Sequence, residues 1–149
     1  EWGVKKIGVM GCSAGGHLAS TLATHYSSEA TRPDFQILMY PVITMEKDFT
    51  HMGSRENLLG SNPSQALVDE YCNDKHVNAS TPPALMILSA DDNVVDPKNS
   101  IEYYYALRKA GVSASIHIYP VGGHGYGIID SFLYKREWTA VVEKWLRQL

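Results

Sequence analysis

The chain has 149 residues, enough for one domain that buries roughly 68–70% of the surface its unfolded form exposes. Apolar residues make up 44% and charged ones 19%, a globular balance, and a formal net charge of −3 argues against a polyanion such as nucleic acid as partner. No apolar run approaches the roughly 18 residues of a membrane span, Glu1–Gly8 lacks the charged-then-apolar layout of a secretory signal, and Cys12 and Cys72 have neither disulfide-framework nor zinc-site spacing.

The first predicted element is a strand, Lys6–Met10, running into Gly11-Cys12-Ser13-Ala14-Gly15. After Gly15 an amphipathic helix is predicted, with Leu18, Ala19, Leu22 and Ala23 on one face and its periodicity lost near Ser27 and Ser28. A second apolar run, Phe35–Tyr40, reads as a buried strand, as do Ala84–Ser89 and Ala114–Tyr119. Between the second and third strands, residues 44–81 form a long polar excursion over the strand ends, with one short helix suggested by Asn62-Pro63 and Gln65 and a place in the wall of a substrate pocket. Asp96 caps a helix with Pro97 at its first position, and Gly111 ends it after Ile101, Tyr104, Tyr105 and Arg108. The last segment places Trp138, Val141, Val142, Trp145, Leu146 and Leu149 as an apolar stripe on a terminal helix. Strand and helix alternate throughout, which predicts an α/β fold: a single domain over 1–149 with a mostly parallel sheet of about four strands flanked by helices.

Three residues in this order carry candidate chemistry. Gly11-Cys12-Ser13-Ala14-Gly15 matches G-x-S-x-G and falls between a predicted strand and a predicted helix, where a sharp turn lifts a serine hydroxyl above the sheet and a helix N-terminus favours developing negative charge. The bare pattern arises by chance in about one chain in twenty of this length, so its position is what gives it weight. Asp92 follows the third strand, and its task is to hold an imidazole in one tautomer; Asp91 and Asp96 compete, Asp96 being better explained as a cap. His124, in Gly122-Gly123-His124-Gly125, follows the fourth strand on a glycine loop at the carboxyl edge of the sheet, where open α/β sheets bind ligands. The order Ser, Asp, His is that of α/β-hydrolases. His17 reads as a packing or hydrogen-bonding residue, the tyrosines 103–105 as core and rim, and His25, His51, His76 and His117 show no metal-ligand spacing. Asn78-Ala79-Ser80 fits a glycosylation sequon, a pattern common by chance.

The chain resembles the C-terminal half of an esterase family of the α/β-hydrolase superfamily that includes acetyl xylan esterases. The resemblance rests on Gly11–Ala19, Tyr40-Pro41-Val42-Ile43, the stretch Gly53–Gly60, Thr81-Pro82-Pro83, Asp92 with Val94-Val95, and Gly122–Gly125. It implies Ser13 as nucleophile, Asp92 as orienting acid, His124 as general base and the Ala14 N–H as oxyanion donor, with no cofactor and no metal. The Ser-Arg-x-Asn-Leu-Leu-Gly run at 54–60 leans toward acetylated sugars, and disfavours a peptidase of the prolyl-oligopeptidase type. Relatives carry an N-terminal half whose H-G-G loop donates a second oxyanion N–H, whereas only ten residues precede Gly11 here; position 96 holds Asp where many relatives have Pro. The chain is therefore expected to be a C-terminal part, with Lys6–Met10 as an open apolar edge that draws in a second copy or a separate N-terminal half, and, if left incomplete, to be catalytically silent.

Overall fold

The computed structural model describes residues 3–149. Four parallel strands form one sheet in the order β1-β2-β3-β4, with β1 Val9–Cys12, β2 Gln36–Met39, β3 Ala84–Ser89 and β4 Ala114–Tyr119. β3 and β4 have the bounds expected from the apolar runs, and β2 loses one residue at each end. β1 lies three residues further along at its start than the apolar pattern suggests. Its ladder is set by its partner: Val9 pairs with Gln36 and Cys12 with Met39, and Ser13 N–H continues the series to the Met39 carbonyl at 3.0 Å. Pairing upstream becomes irregular, because Asp34 takes the Ile7 N–H on its carboxylate at 2.7 Å and gives its own N–H to the Ile7 carbonyl.

Strands that step one way across a parallel sheet, joined by right-handed crossovers, place their crossover helices on one face. That is the arrangement found. α1 (Ala14–Thr24) and α4 (Lys98–Lys109) enclose a core of Ala19, Leu38, Ile43, Ala84, Met86, Tyr103 and Leu107. The terminal helix α5 (Lys135–Leu146) covers the other face, where Trp138 is buried against Ile37, Met39, Leu85 and Ile87, with Val141, Val142 and Trp145 packed at the margin. Leu146 is exposed, and Leu149 lies beyond the helix.

Two helices bury faces other than the expected ones. In α1 Gly16, Ala19, Ser20 and Ala23 are buried, small residues at helical spacing that let the helix lie close to β1 and β2, with His17 and Thr24 buried beside them, while Leu18 and Leu22 point outward at 65% and 48% exposure. Size explains the choice: a Cβ on Gly16 would stand 2.5 Å from the Pro41 Cβ. In α4 the buried face is Ser100, Tyr103 and Leu107, and Tyr105 is exposed. Tyr103 is satisfied in the core by donating its hydroxyl to the Gln36 side chain, which in turn donates to the Pro82 carbonyl. The helix starts one residue later than expected, yet Asp96 still accepts the Lys98 N–H at 2.8 Å, and Gly111 closes it at φ 77.

The excursion is more ordered than its composition suggests. It contains α2 (Met52–Leu59), α3 (Gln65–Glu70, the short helix expected) and a 3-10 turn, Asn73–His76. α2 escapes detection by periodicity because its only buried residue is Arg55, whose guanidinium Nε donates to the Met45 carbonyl. Cys72 is buried, its sulfur accepting from the Thr44 hydroxyl and the Met45 N–H. The Asn73 side chain donates to the His17 carbonyl and the Ser20 hydroxyl, tying the excursion to α1. Among the described residues, no helix is long and apolar enough to cross a membrane.

Candidate active site

The site lies at the carboxyl ends of β1, β3 and β4. Ser13 directly follows β1 and caps α1 with φ 54 and ψ −123, a combination rare for any residue with a side chain and worth roughly 1–3 kcal/mol of strain. The surroundings enforce it. Ser13 N–H is held by the Met39 carbonyl, and its own carbonyl accepts from Gly16 and from Val42 N–H at 2.9 and 3.0 Å. The flanking glycines are not equivalent: a Cβ on Gly11 would fall 2.0 Å from the Gly15 carbonyl oxygen, whereas one on Gly15 would meet nothing within 4 Å. Ala14 and Gly15 begin the helix, where N–H groups have no carbonyl a turn earlier to accept them, and both residues are exposed. The Ala14 N–H is thus available beside the Ser13 hydroxyl.

β3 delivers Asp92, buried in the turn that follows it. One carboxylate oxygen accepts from Val94 and Val95 N–H at 2.9 and 3.0 Å, which leaves the other aimed at His124 Nδ1, 2.7 Å away. The remaining ring nitrogen, His124 Nε2, stands 2.8 Å from Ser13 Oγ. With a carboxylate at Nδ1, the ring proton belongs on Nδ1 and Nε2 is free to accept from the serine hydroxyl. The three residues singled out in the sequence are therefore brought into one hydrogen-bonded line from three different strand ends.

Two further residues hold the histidine loop: Asp91, which the sequence offers only as a competitor of Asp92 for the acid role, and Tyr40, to which it gives no role of its own. Asp91 accepts the Gly123 N–H at 2.8 Å, and that bond keeps its carboxyl below the usual range. Tyr40, at φ 36 directly after β2, accepts the Gly127 N–H on its hydroxyl at 3.0 Å and sets its ring edge-on to His124, with centroids 4.8 Å apart. Burial first, and Cys12 next, push the Tyr40 hydroxyl up to about 12, so it stays a neutral prop rather than a second base. The sequence signals for Tyr40 are its place before Pro41 at a strand end and its part in the Tyr40–Ile43 stretch that carries the family resemblance. Gly122, Gly123 and Gly125 all have positive φ, and Gly122 is pressed so closely on Ser89 and Phe132 that a Cβ would lie 2.4 Å from the Ser89 hydroxyl.

His17 does not enter this line. It is buried under the excursion with Nε2 2.8 Å from the Tyr71 carbonyl, and burial lowers its pKa. Asp96 stays at the start of α4, on the Lys98 N–H. Among the described residues no group of three or more His, Cys, Asp or Glu side chains is placed to hold a metal ion.

The family described as alpha/beta hydrolase fold matches residues 1–128. The chain belongs to that family. This α/β-hydrolase chain is 40% identical over 147 residues to an acetylxylan esterase of Xylanibacter ruminicola, a match covering 96% of the chain and 30% of that protein. It is 36% identical over 136 residues to an endo-1,4-beta-xylanase B of Butyrivibrio fibrisolvens, covering 85% of the chain and 21% of that protein. In structure it superposes with a TM-score of 0.88 on an acetyl ester-xyloside bifunctional hydrolase from Caldicellulosiruptor lactoaceticus, 40% identical, over 95% of this hydrolase chain and 56% of the other. The chain thus spans less than a third of these curated relatives and just over half of the solved one.

Proposed function

We propose that the chain carries a serine carboxylesterase centre in which Ser13 is the nucleophile, His124 the general base and Asp92 its orienting acid. His124 Nε2 takes the hydroxyl proton as Ser13 Oγ attacks the ester carbonyl, and the oxyanion that forms faces the Ala14 N–H at the start of α1. The protonated His124 then gives its proton to the departing alcohol oxygen, leaving an acyl-serine, and water repeats the cycle to release the acid. Asp92 stabilises the imidazolium between these steps. The observation that carries the reading is the unbroken line of 2.8 and 2.7 Å hydrogen bonds from Ser13 through His124 to Asp92. Relatives named as acetylxylan esterase and acetyl ester-xyloside hydrolase make O-acetyl groups of xylan or related oligosaccharides the favoured substrate. The test is hydrolysis of an aryl acetate and of acetylated xylan by the chain and by Ser13→Ala. Loss of both activities in the variant is expected, and undiminished hydrolysis by the variant would refute the assignment.

A second reading concerns assembly. Among the described residues β1 has one neighbour, β2, and the surface beside it exposes Val4, Ile7 and Met10 together with Leu18 and Leu22 of α1. We propose that a preparation of this polypeptide alone self-associates by pairing along β1, since an unpaired apolar edge recruits another strand. Light scattering over a concentration series should show a dimer or larger species, and a monomer at high concentration would refute it.

A further inference from the structure

His124 is carried by a loop that cannot fix its own shape. Gly122, Gly123, Gly125 and Gly127 surround it, all at positive φ, and glycine backbone has wide conformational freedom. The imidazole nevertheless stands 2.7 Å from Asp92 and 2.8 Å from Ser13 at once. Two bonds supply the missing rigidity, one on each side of the histidine. Asp91 Oδ1 accepts the Gly123 N–H one residue before it, and the Tyr40 hydroxyl accepts the Gly127 N–H three residues after it. Among the described residues, and apart from the bonds of the His124 ring itself, these two are the hydrogen bonds that join residues 121–127 to the turns after β2 and β3. The loop is thus referred to the same sheet that places Ser13 and Asp92.

We infer that Asp91 and Tyr40 are positioning residues for the reaction and work as a pair, bracketing His124 so that its Nε2 is aligned on Ser13 Oγ; this rests on the esterase reading above. The backbone at Tyr40 agrees. Of the described residues that carry a side chain, Ser13 and Tyr40 alone have positive φ, and strained backbone collects at functional sites. A glycine would occupy φ 36 freely, but only the tyrosine brings a hydroxyl to the Gly127 N–H and a ring whose centroid lies 4.8 Å from those of both His124 and Tyr126. Asp91 is exposed, so its carboxylate has no packing duty, and its printed partner is the loop. Both bonds end on backbone N–H groups, which means that the pair acts through His124. Loss of either should lower kcat and leave KM in place. One remaining anchor cannot hold a glycine loop at both ends, so the two losses should overlap instead of multiplying.

The test is kcat and KM for para-nitrophenyl acetate, beside urea unfolding, on the chain and on Tyr40→Phe, Asp91→Ala, Asp91→Asn and the double variant Tyr40→Phe/Asp91→Ala. Tyr40→Phe keeps the buried ring and Asp91 lies at the surface, so the fold should persist in all of them. A displacement of about 1 Å at a reacting group can cost on the order of 100-fold, so Tyr40→Phe and Asp91→Ala should each lower kcat by roughly 10- to 100-fold with KM unchanged. The double variant should fall close to the worse single. Asp91→Asn still offers an oxygen to the Gly123 N–H and should recover most of the rate lost in Asp91→Ala. Undiminished kcat in folded Tyr40→Phe and Asp91→Ala overturns the inference and leaves the esterase reading standing. A raised KM with kcat intact also overturns it, because the two residues would then shape binding, and losses that multiply in the double variant overturn the pairing. Asp91→Asn as slow as Asp91→Ala overturns the role given to the Gly123 bond. If Tyr40→Phe does not fold, the two Asp91 variants decide by the same outcomes. A parent chain that cleaves no ester overturns the esterase reading and this inference with it.

Discussion

Replacing Asp92 with Asn tests the site with little change to the fold. The Asp92 side chain has two separate duties: one oxygen accepts from Val94 and Val95 N–H, and the other receives His124 Nδ1–H. An asparagine can keep the first by placing its carbonyl oxygen there, since both of those partners are donors. Its NH2 group then faces His124 Nδ1, which must become an acceptor, and the ring proton moves to Nε2. That nitrogen, 2.8 Å from Ser13 Oγ, can then only donate to the hydroxyl and not remove its proton. In the same arrangement elsewhere this change of tautomer lowers kcat about 10⁴-fold, close to 5.4 kcal/mol of barrier at 1.36 kcal/mol per decade. Stability should change little, because the two backbone bonds survive. Asp92→Ala, by contrast, leaves two N–H groups without their acceptor, at a cost of roughly 1–3 kcal/mol for each that stays buried. The assay is kcat for an aryl ester beside urea unfolding of both variants. An Asp92→Asn variant folded normally and within tenfold of the parent kcat would refute the role given to Asp92, and would direct attention to Asp91 on the other side of the same loop.

The glycines of the elbow should separate sharply. Gly11→Ala forces a Cβ to 2.0 Å from the Gly15 carbonyl oxygen and should destabilise by about 3 kcal/mol or more with loss of activity, whereas Gly15→Ala, with open space around it on a helix, should stabilise by up to about 1 kcal/mol; equal unfolding midpoints for the two would show that the turn is not held as described. His17 should set part of the acid sensitivity. Its pKa in the folded chain lies below the ordinary 6.5 because it is buried, so the unfolded chain binds more protons, and stability is fully present above about pH 6.5 and falls as the pH drops toward the folded value. His17→Gln should flatten the dependence of Tm on pH between 6.5 and 5, and an unchanged slope would show that another group is responsible.

Much of this was legible in the sequence because each strand end is marked by a residue that the fold cannot easily replace. Gly11 before Ser13, Asp92 three residues past β3 and the glycines around His124 all record backbone turns, and local turns are encoded locally. The α1 face departs from expectation for the opposite reason: Leu18 and Leu22 fit an apolar stripe, but closeness to the sheet selects small residues, and the leucines instead look outward, Leu18 toward α2 and Leu22 beside the β1 edge. α2 was hidden because it presents no apolar face at all, being anchored by Arg55 and by His51, which caps it by accepting the Ser54 N–H. The loop-holding roles of Tyr40 and Asp91 are not legible in the sequence, which offers Asp91 only as a competitor of Asp92, because each is a contact to a loop more than thirty residues away.

The backbone at Ser13 connects these observations. Nothing in a structural turn requires a side chain at φ 54, and glycine would relieve the strain there, as it does at Gly111 and Gly123. The chain nonetheless places a serine at that point, with Gly11 cleared to let the turn close and the Met39 and Val42 backbone clamping it on both sides. A serine held in this conformation fits the nucleophile role proposed for it, since strained backbone collects at functional sites. The strain at Ser13 and the line of hydrogen bonds through His124 to Asp92 are independent features, one of backbone and one of side chains, and they point to the same atom, Ser13 Oγ.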